Sequence, residues 1–136
     1  MLYRKVLIIA LAAVASFMLA SHSLHQGGPQ LSFDKERHDY GSFPVDSMPE
    51  GNWFYLDIPF TNTGNAPLLL TSVRACCGTH VQNYPQEPIS PGESGTIKVR
   101  FRLHPRAQNI SRSVTVQSNC SKRQTQVFRI TGKVTQ

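Results

Sequence analysis

Two stretches of this chain alternate apolar and polar side chains at a period of two, and that period limits what the polypeptide can fold into. Within residues 53–60, Phe54, Leu56, Ile58 and Phe60 fall on one face, and Trp53, Tyr55, Asp57 and Pro59 on the other. Within residues 96–103, Ile97, Val99, Phe101 and Leu103 alternate with Lys98, Arg100 and Arg102. Successive side chains of an extended strand point to opposite faces, so each stretch reads as a strand with one buried face. Pro59 cannot donate to a ladder, so its nitrogen should face an unpaired or bulged edge. No heptad or 3.6-residue period appears after residue 23.

Shorter segments complete the pattern. Residues 31–33 and 38–43 are apolar strands, with Gly41 a bend in the second. Residues 68–73 form another, residues 112–118 place Val114 and Val116 inward, and residues 126–134 place Phe128, Ile130 and Val134 inward with Arg129 and Lys133 outward. Residues 44–52 are loop, and residues 80–95, with Pro85, Pro88, Pro91, Gly92 and Gly95, form a long connection. Residues 60–78, FTNTGNAPLLLTSVRACCG, join two strands through Asn62-Thr63-Gly64-Asn65, residue types that tolerate the positive φ of a tight turn. Seven short strands without a helix predict an all-β, two-sheet antiparallel sandwich, in preference to a small barrel.

The first 23 residues are of another kind. Arg4 and Lys5 precede an uninterrupted run of apolar and small residues from 6 to 20, followed by Ser21 and Ser23. That is the order of a secretory signal peptide, and the run is short of the about 20 residues a membrane span needs. Residues 1–23 are therefore expected to be cleaved after Ala20 or Ser23; the alternative is a helical anchor kept in the inner membrane. Residues 24–30, ending Gly27-Gly28-Pro29-Gln30, read as a mobile linker, and residues 31–135 as one sandwich domain. The expected location is periplasmic or extracellular, with membrane contact only through a retained N-terminal segment. Losing Arg4 and Lys5 with residues 1–23 lowers the formal charge from +6 to +4. The remaining chain is long enough to bury a core without disulfides.

The segments LSFDKERHDYGSF (residues 31–43), residues 60–78, EPISPGESGTIKVR (residues 87–100) and ITGKV (residues 130–134) together resemble a bacterial family of exported immunoglobulin-like domains of unknown function, related to the Hydin and major-sperm-protein group. The resemblance implies a seven-stranded immunoglobulin-like sandwich outside the cytoplasm and no enzymatic activity. It has one departure. Where the family usually carries Ser-Cys-Gly-Cys-Thr, this chain reads Cys76-Cys77-Gly78-Thr79-His80, so a Cys-Gly-Cys pair is missing.

Two constellations could carry function. The first is the loop Cys76, Cys77, Gly78 and His80, with thiol and imidazole groups suited to copper(I) or zinc, or to redox exchange. Three ligands at most are few for a metal site, so the simpler reading is a loop thiol, a buried cysteine and a solvated histidine. Cys120 should lie about 20 Å from Cys76, beyond the about 7 Å Cα separation a disulfide allows. A Cys76–Cys77 bond is possible, with its Cα atoms closer than usual. The second constellation is the outward face Trp53, Tyr55, Lys98, Arg100 and Arg102, suited to cation–π contacts and to anionic or sugar ligands. Its simpler reading is a solvated sheet face.

The cations between Lys98 and Lys133 should divide between two sheets, which argues against nucleic acid as a partner. No nucleophile elbow, paired catalytic carboxylates or phosphate loop appears, and no cofactor is expected. The sequence thus predicts a non-enzymatic exported module that binds an envelope protein or glycan. The alternative is a thiol-based metal or redox carrier using Cys76, Cys77 and His80.

Overall fold

The apolar faces meet between two sheets. From one side come Phe54, Leu56, Ile58 and Phe60 with Ile97, Val99 and Phe101; from the other, Val114, Val116, Phe128, Ile130 and Val134, all buried in one cluster. Each such side chain stabilises the fold by roughly 1.5–3 kcal/mol relative to leaving it in water. The computed structural model describes residues 27–136; the expected signal or anchor and the start of the linker lie outside the described residues. No helix among the described residues is long and apolar enough to cross a membrane.

Eight strands build the two layers: β1 (Leu31–Phe33), β2 (Arg37–Pro44), β3 (Trp53–Asn62), β4 (Leu70–Ala75), β5 (Thr79–Asn83), β6 (Ser94–Arg102), β7 (Gln108–Ser118) and β8 (Thr125–Thr135). The first sheet has the order β1-β3-β6-β5, the second β2-β8-β7-β4. Short 3-10 turns at Val45–Ser47 and Glu50–Asn52 lead from β2 into β3.

Three features differ from the sequence reading. Among the described residues there are eight strands rather than seven, because the stretch assigned to a long connection begins with β5. Only Thr79 and Val81 of THVQN face inward, paired with Phe101 and Val99, too short a pattern to stand out among polar neighbours. The sandwich is also not wholly antiparallel, since β2 runs parallel to β8. The chain leaves β1 and crosses to the second sheet without reversing, and a period-two pattern carries no information on strand direction. A bulge between Asp39 and Ser42 holds Gly41 at φ +69, the bend expected there.

The third difference is the turn after β3. Neither the asparagines nor the glycine of Asn62-Thr63-Gly64-Asn65 has a positive φ. Asn62 is instead fully buried and acts as a hydrogen-bond hub. Its Nδ2 donates to the carbonyls of Ala66 (2.8 Å) and Ile89 (2.9 Å), and its Oδ1 accepts from the N–H groups of Gly64 (3.0 Å) and Gln30 (3.3 Å). Gly64 is required by close approach: a Cβ there would meet the Gly28 carbonyl and lie 2.6 Å from the Gln30 nitrogen. The end of the expected linker is accordingly docked, with the carbonyls of Gly28, Pro29 and Gln30 accepting from Asn65, Ser121 and Thr63.

Candidate functional site

The outer face of the first sheet is set by the β3–β6–β5 register. Trp53 stands opposite Arg102, Tyr55 opposite Arg100 and Asp57 opposite Lys98, while His80 flanks Arg100 on its other side. The Arg100 guanidinium carbon lies 4.9 Å from the Trp53 ring centre, and that of Arg102 lies 5.9 Å away. Two cations over one indole form the aromatic–cation cluster that the alternation implied, and each contact is worth about 0.5–1 kcal/mol at an exposed site. Arg102 also donates from Nε to the Gly51 carbonyl at 3.1 Å, tying the cluster to the turn before β3. Tyr55 projects into solvent, 62% exposed. Lys98 lies beside Asp57 and Asn83, toward the other end of β3 from Trp53.

The two constellations read separately in the sequence meet on this side of the molecule. The His80 ring centre is 6.5 Å from that of Trp53, and the turn carrying Cys76, Cys77 and Gly78 enters β5 just before it. That turn crosses from β4 at the edge of the second sheet to β5 at the edge of the first. Thr79 N–H donates to the Cys76 carbonyl at 3.1 Å, with Cys77 at φ +65 and Gly78 at φ +78. Positive φ at both central residues is the mark of a type I′ turn. Glycine adopts that conformation freely, whereas cysteine does so rarely.

Cys76 and Cys77 are joined by a disulfide with their Cα atoms 3.7 Å apart. Bonded to each other, the sulfurs are not thiolate ligands. No group of three or more His, Cys, Asp or Glu side chains that could hold a metal occurs among the described residues. Cys120 is a free thiol, 3% exposed, just past the C-terminal end of β7, whereas Cys76 donates its N–H to the carbonyl of Ser113 midway along that strand. Burial pushes its pKa up, but backbone N–H groups of Arg123, Leu31 and Lys122 and the Arg123 charge outweigh this, so the net shift is downward.

Arg112 is a participant that the sequence reading passed over. It lies in phase with Ile110, Val114 and Val116, the inward positions of β7, so strand parity was the signal that marked it. Its guanidinium carbon sits 4.9 Å from the Phe101 ring centre and its Nη1 donates to the Cys77 carbonyl. Burial lowers its pKa. One long side chain thus spans from the second sheet to the first and holds the cysteine turn. A groove beside the outer face, walled by Tyr40, Phe43, Pro49 and Tyr55, was equally unforeseen, because β2 and β3 are joined through turns of no regular period.

These features define a two-sheet β-sandwich whose outer surface carries an aromatic–cationic cluster on a rigid ladder. The chain belongs to the DUF1573 family, proteins of unknown function, whose family model matches residues 31–134. A search of the curated proteins finds no match. Among solved structures, a protein of unknown function from Porphyromonas gingivalis W83 is similar with a TM-score of 0.62 and 16% identity, over 78% of this chain and 47% of its own. The secreted serine protease VesC from Vibrio cholerae is similar with a TM-score of 0.59 and 15% identity, over 80% of this chain and 23% of its own. The Vibrio cholerae VesB protease gives 0.50 and 18%, over 85% and 34%. The chain spans less than half the first structure and about a third or less of the proteases. At such identities the likeness is one of fold.

Proposed function

We propose that this chain is an exported, non-enzymatic, immunoglobulin-like module that holds an envelope protein through the outer face of its first sheet. A glycan is the other ligand whose chemistry suits that face. The observation that carries the reading is the Trp53 indole beneath Arg100 and Arg102, beside the exposed Tyr55. Aromatic and arginine side chains dominate the energetics of protein recognition, because they combine large contact area with charge-assisted hydrogen bonds. Export is supported by the signal-like order of residues 1–23.

A photo-crosslinking residue at position 55, in the full chain expressed in cells, tests this directly. The expected result is a discrete crosslink to an envelope protein that is absent when the same residue replaces Val127, an exposed site on β8 of the second sheet. No crosslink from position 55, or the same products from both positions, overturns the proposal.

The Cys76–Cys77 disulfide favours a second reading, a thiol-based redox or metal carrier at the exposed turn with His80 nearby. Two-electron reduction by a partner dithiol would open the bond to two thiols while the partner forms its own disulfide. Copper(I) titration of the reduced protein decides whether those thiols bind metal. Tight binding that disappears in the Cys76→Ser, Cys77→Ser double variant supports the metal carrier, and equal binding by both proteins removes it.

A further inference from the structure

Among the described residues, only half of one edge of β3 is occupied. On that side β1 pairs just from Leu31 to Phe33, opposite Asn62 to Phe60, and Asp34 adds a last bond from its N–H to the Pro59 carbonyl at 3.3 Å. The chain then departs to the second sheet as β2. Backbone groups of alternate residues in a strand point to opposite edges. Asn62 directs its N–H to the Glu93 carbonyl and its C=O to the Gly92 N–H, on the β6 side. The odd-numbered residues therefore face the β1 side, as the Pro59 carbonyl and the Thr63 N–H, bonded to Gln30, confirm. By the same parity, the N–H and C=O groups of Trp53, Tyr55 and Asp57 point to the part of the edge where no strand among the described residues is paired.

Beside this edge runs an open groove of about 460 Å³ lined by Tyr40, Phe43, Pro49, Trp53, Phe54 and Tyr55. The free main-chain groups, the apolar groove and the neighbouring arginines are the three parts of a strand-addition site, in which main-chain bonds supply affinity and alternate side chains supply specificity. We propose that this half-edge takes an extended acidic segment of a partner protein as an added strand, in line with β1. Its inward side chains pack on Tyr40 and Phe43. Its outward carboxylates lie beside Trp53 and Tyr55, toward Arg100 and Arg102, which lean onto Trp53 from the adjacent strand. The segment spans about five residues at ~3.3 Å each, bounded at one end by Asp34 opposite Pro59, whose missing N–H ends the donor row, and at the other by Trp53, where β3 begins. β1 is the precedent, being held to the same edge in antiparallel register. The proposal rests on the reading of the outer face as a recognition surface and specifies its mode.

The test selects heptapeptides on the exported protein from a random phage-displayed library and follows amide exchange by NMR with a selected synthetic peptide bound. The expected result is enrichment of acidic peptides that slow exchange at both Tyr55 and Asp57 by at least tenfold. Asp57→Pro should keep the fold, because the Asp57 N–H faces away from β6, and should weaken the peptide at least tenfold. If that variant does not fold, the exchange measurement on the unaltered protein still decides. Failure to enrich any peptide, or peptides that leave both amides unchanged, overturns strand addition. Slowing that grows with protein concentration without peptide shows a second copy in the site and overturns the proposal equally. A crosslink from position 55 alongside unprotected amides leaves the recognition face standing and removes only its mode.

Discussion

Asn62 is fully buried, yet both polar atoms of its side chain have partners, and those partners belong to four different residues, Gln30, Gly64, Ala66 and Ile89. Removing one member of a buried pair costs about 1–3 kcal/mol, because the remaining group loses its water without regaining a bond. Asn62→Ala should therefore lower unfolding stability by about 3 kcal/mol, part of the loss being recovered by water at the less buried partners. Urea denaturation measures it. Asn62→Asp makes a sharper comparison, since an ionised carboxylate would face two carbonyls. The folded-state pKa of the introduced carboxyl should rise above the ordinary value of about 3.9. A raised pKa means stability that is present below the unfolded value and lost as pH climbs through the folded one. The Asn62→Asp variant should then be closer to wild type at pH 4 than at pH 7. Tyr40 follows the same sign in the alkaline range, because burial raises its pKa. Wild type should lose stability relative to Tyr40→Phe as pH climbs above about 10, and parallel curves for the two proteins would contradict the assignment.

At the scale of elements, the turn after β3 locks the N-terminal approach to the sandwich. Gly64→Ala would drive a Cβ into the Gly28 carbonyl and the Gln30 nitrogen, both backbone atoms with little freedom to move. The expected outcome is a loss of about 2–4 kcal/mol together with faster amide exchange at Thr63 and Asn65, whose N–H groups bond to this segment. Unchanged exchange at those amides would contradict the docking. How far each element was legible depended on how much its own pattern carried. β3 and β6 declare themselves, because every second one of their nine consecutive register pairs points into the core. β5 does not, since two inward residues in five make no period, and its place is fixed by pairing with β6. The direction of β2 is set by the path between the sheets, which side-chain alternation does not encode. Asn62 sits in phase with Phe60 at the end of an apolar row, so its burial was written in the sequence. Its role as a hub depends on Gln30, 32 residues before it, and Ile89, 27 residues after it, meeting there, which local reasoning does not reach. Arg112 was legible by phase alone.

For the whole molecule, charge and architecture divide the work. The second sheet carries Arg129 and Lys133 on its outer face, while the first carries Arg100 and Arg102 beside two aromatics, with Lys98 farther along beside Asp57. Cations without an aromatic platform attract anionic surfaces weakly and without selection. Cations ordered on an indole present fixed donors, which is what selective recognition requires. On the proposed function, affinity lies on the outer face of the first sheet and the second sheet is solvated support. The most direct measurement is the affinity of the partner captured from position 55 for three proteins: wild type, Arg100→Ala with Arg102→Ala, and Arg129→Ala with Lys133→Ala. The expected result is at least tenfold weaker binding for the first double variant and binding within twofold of wild type for the second. Equal losses in both, or a larger loss from the second sheet, would contradict the central claim.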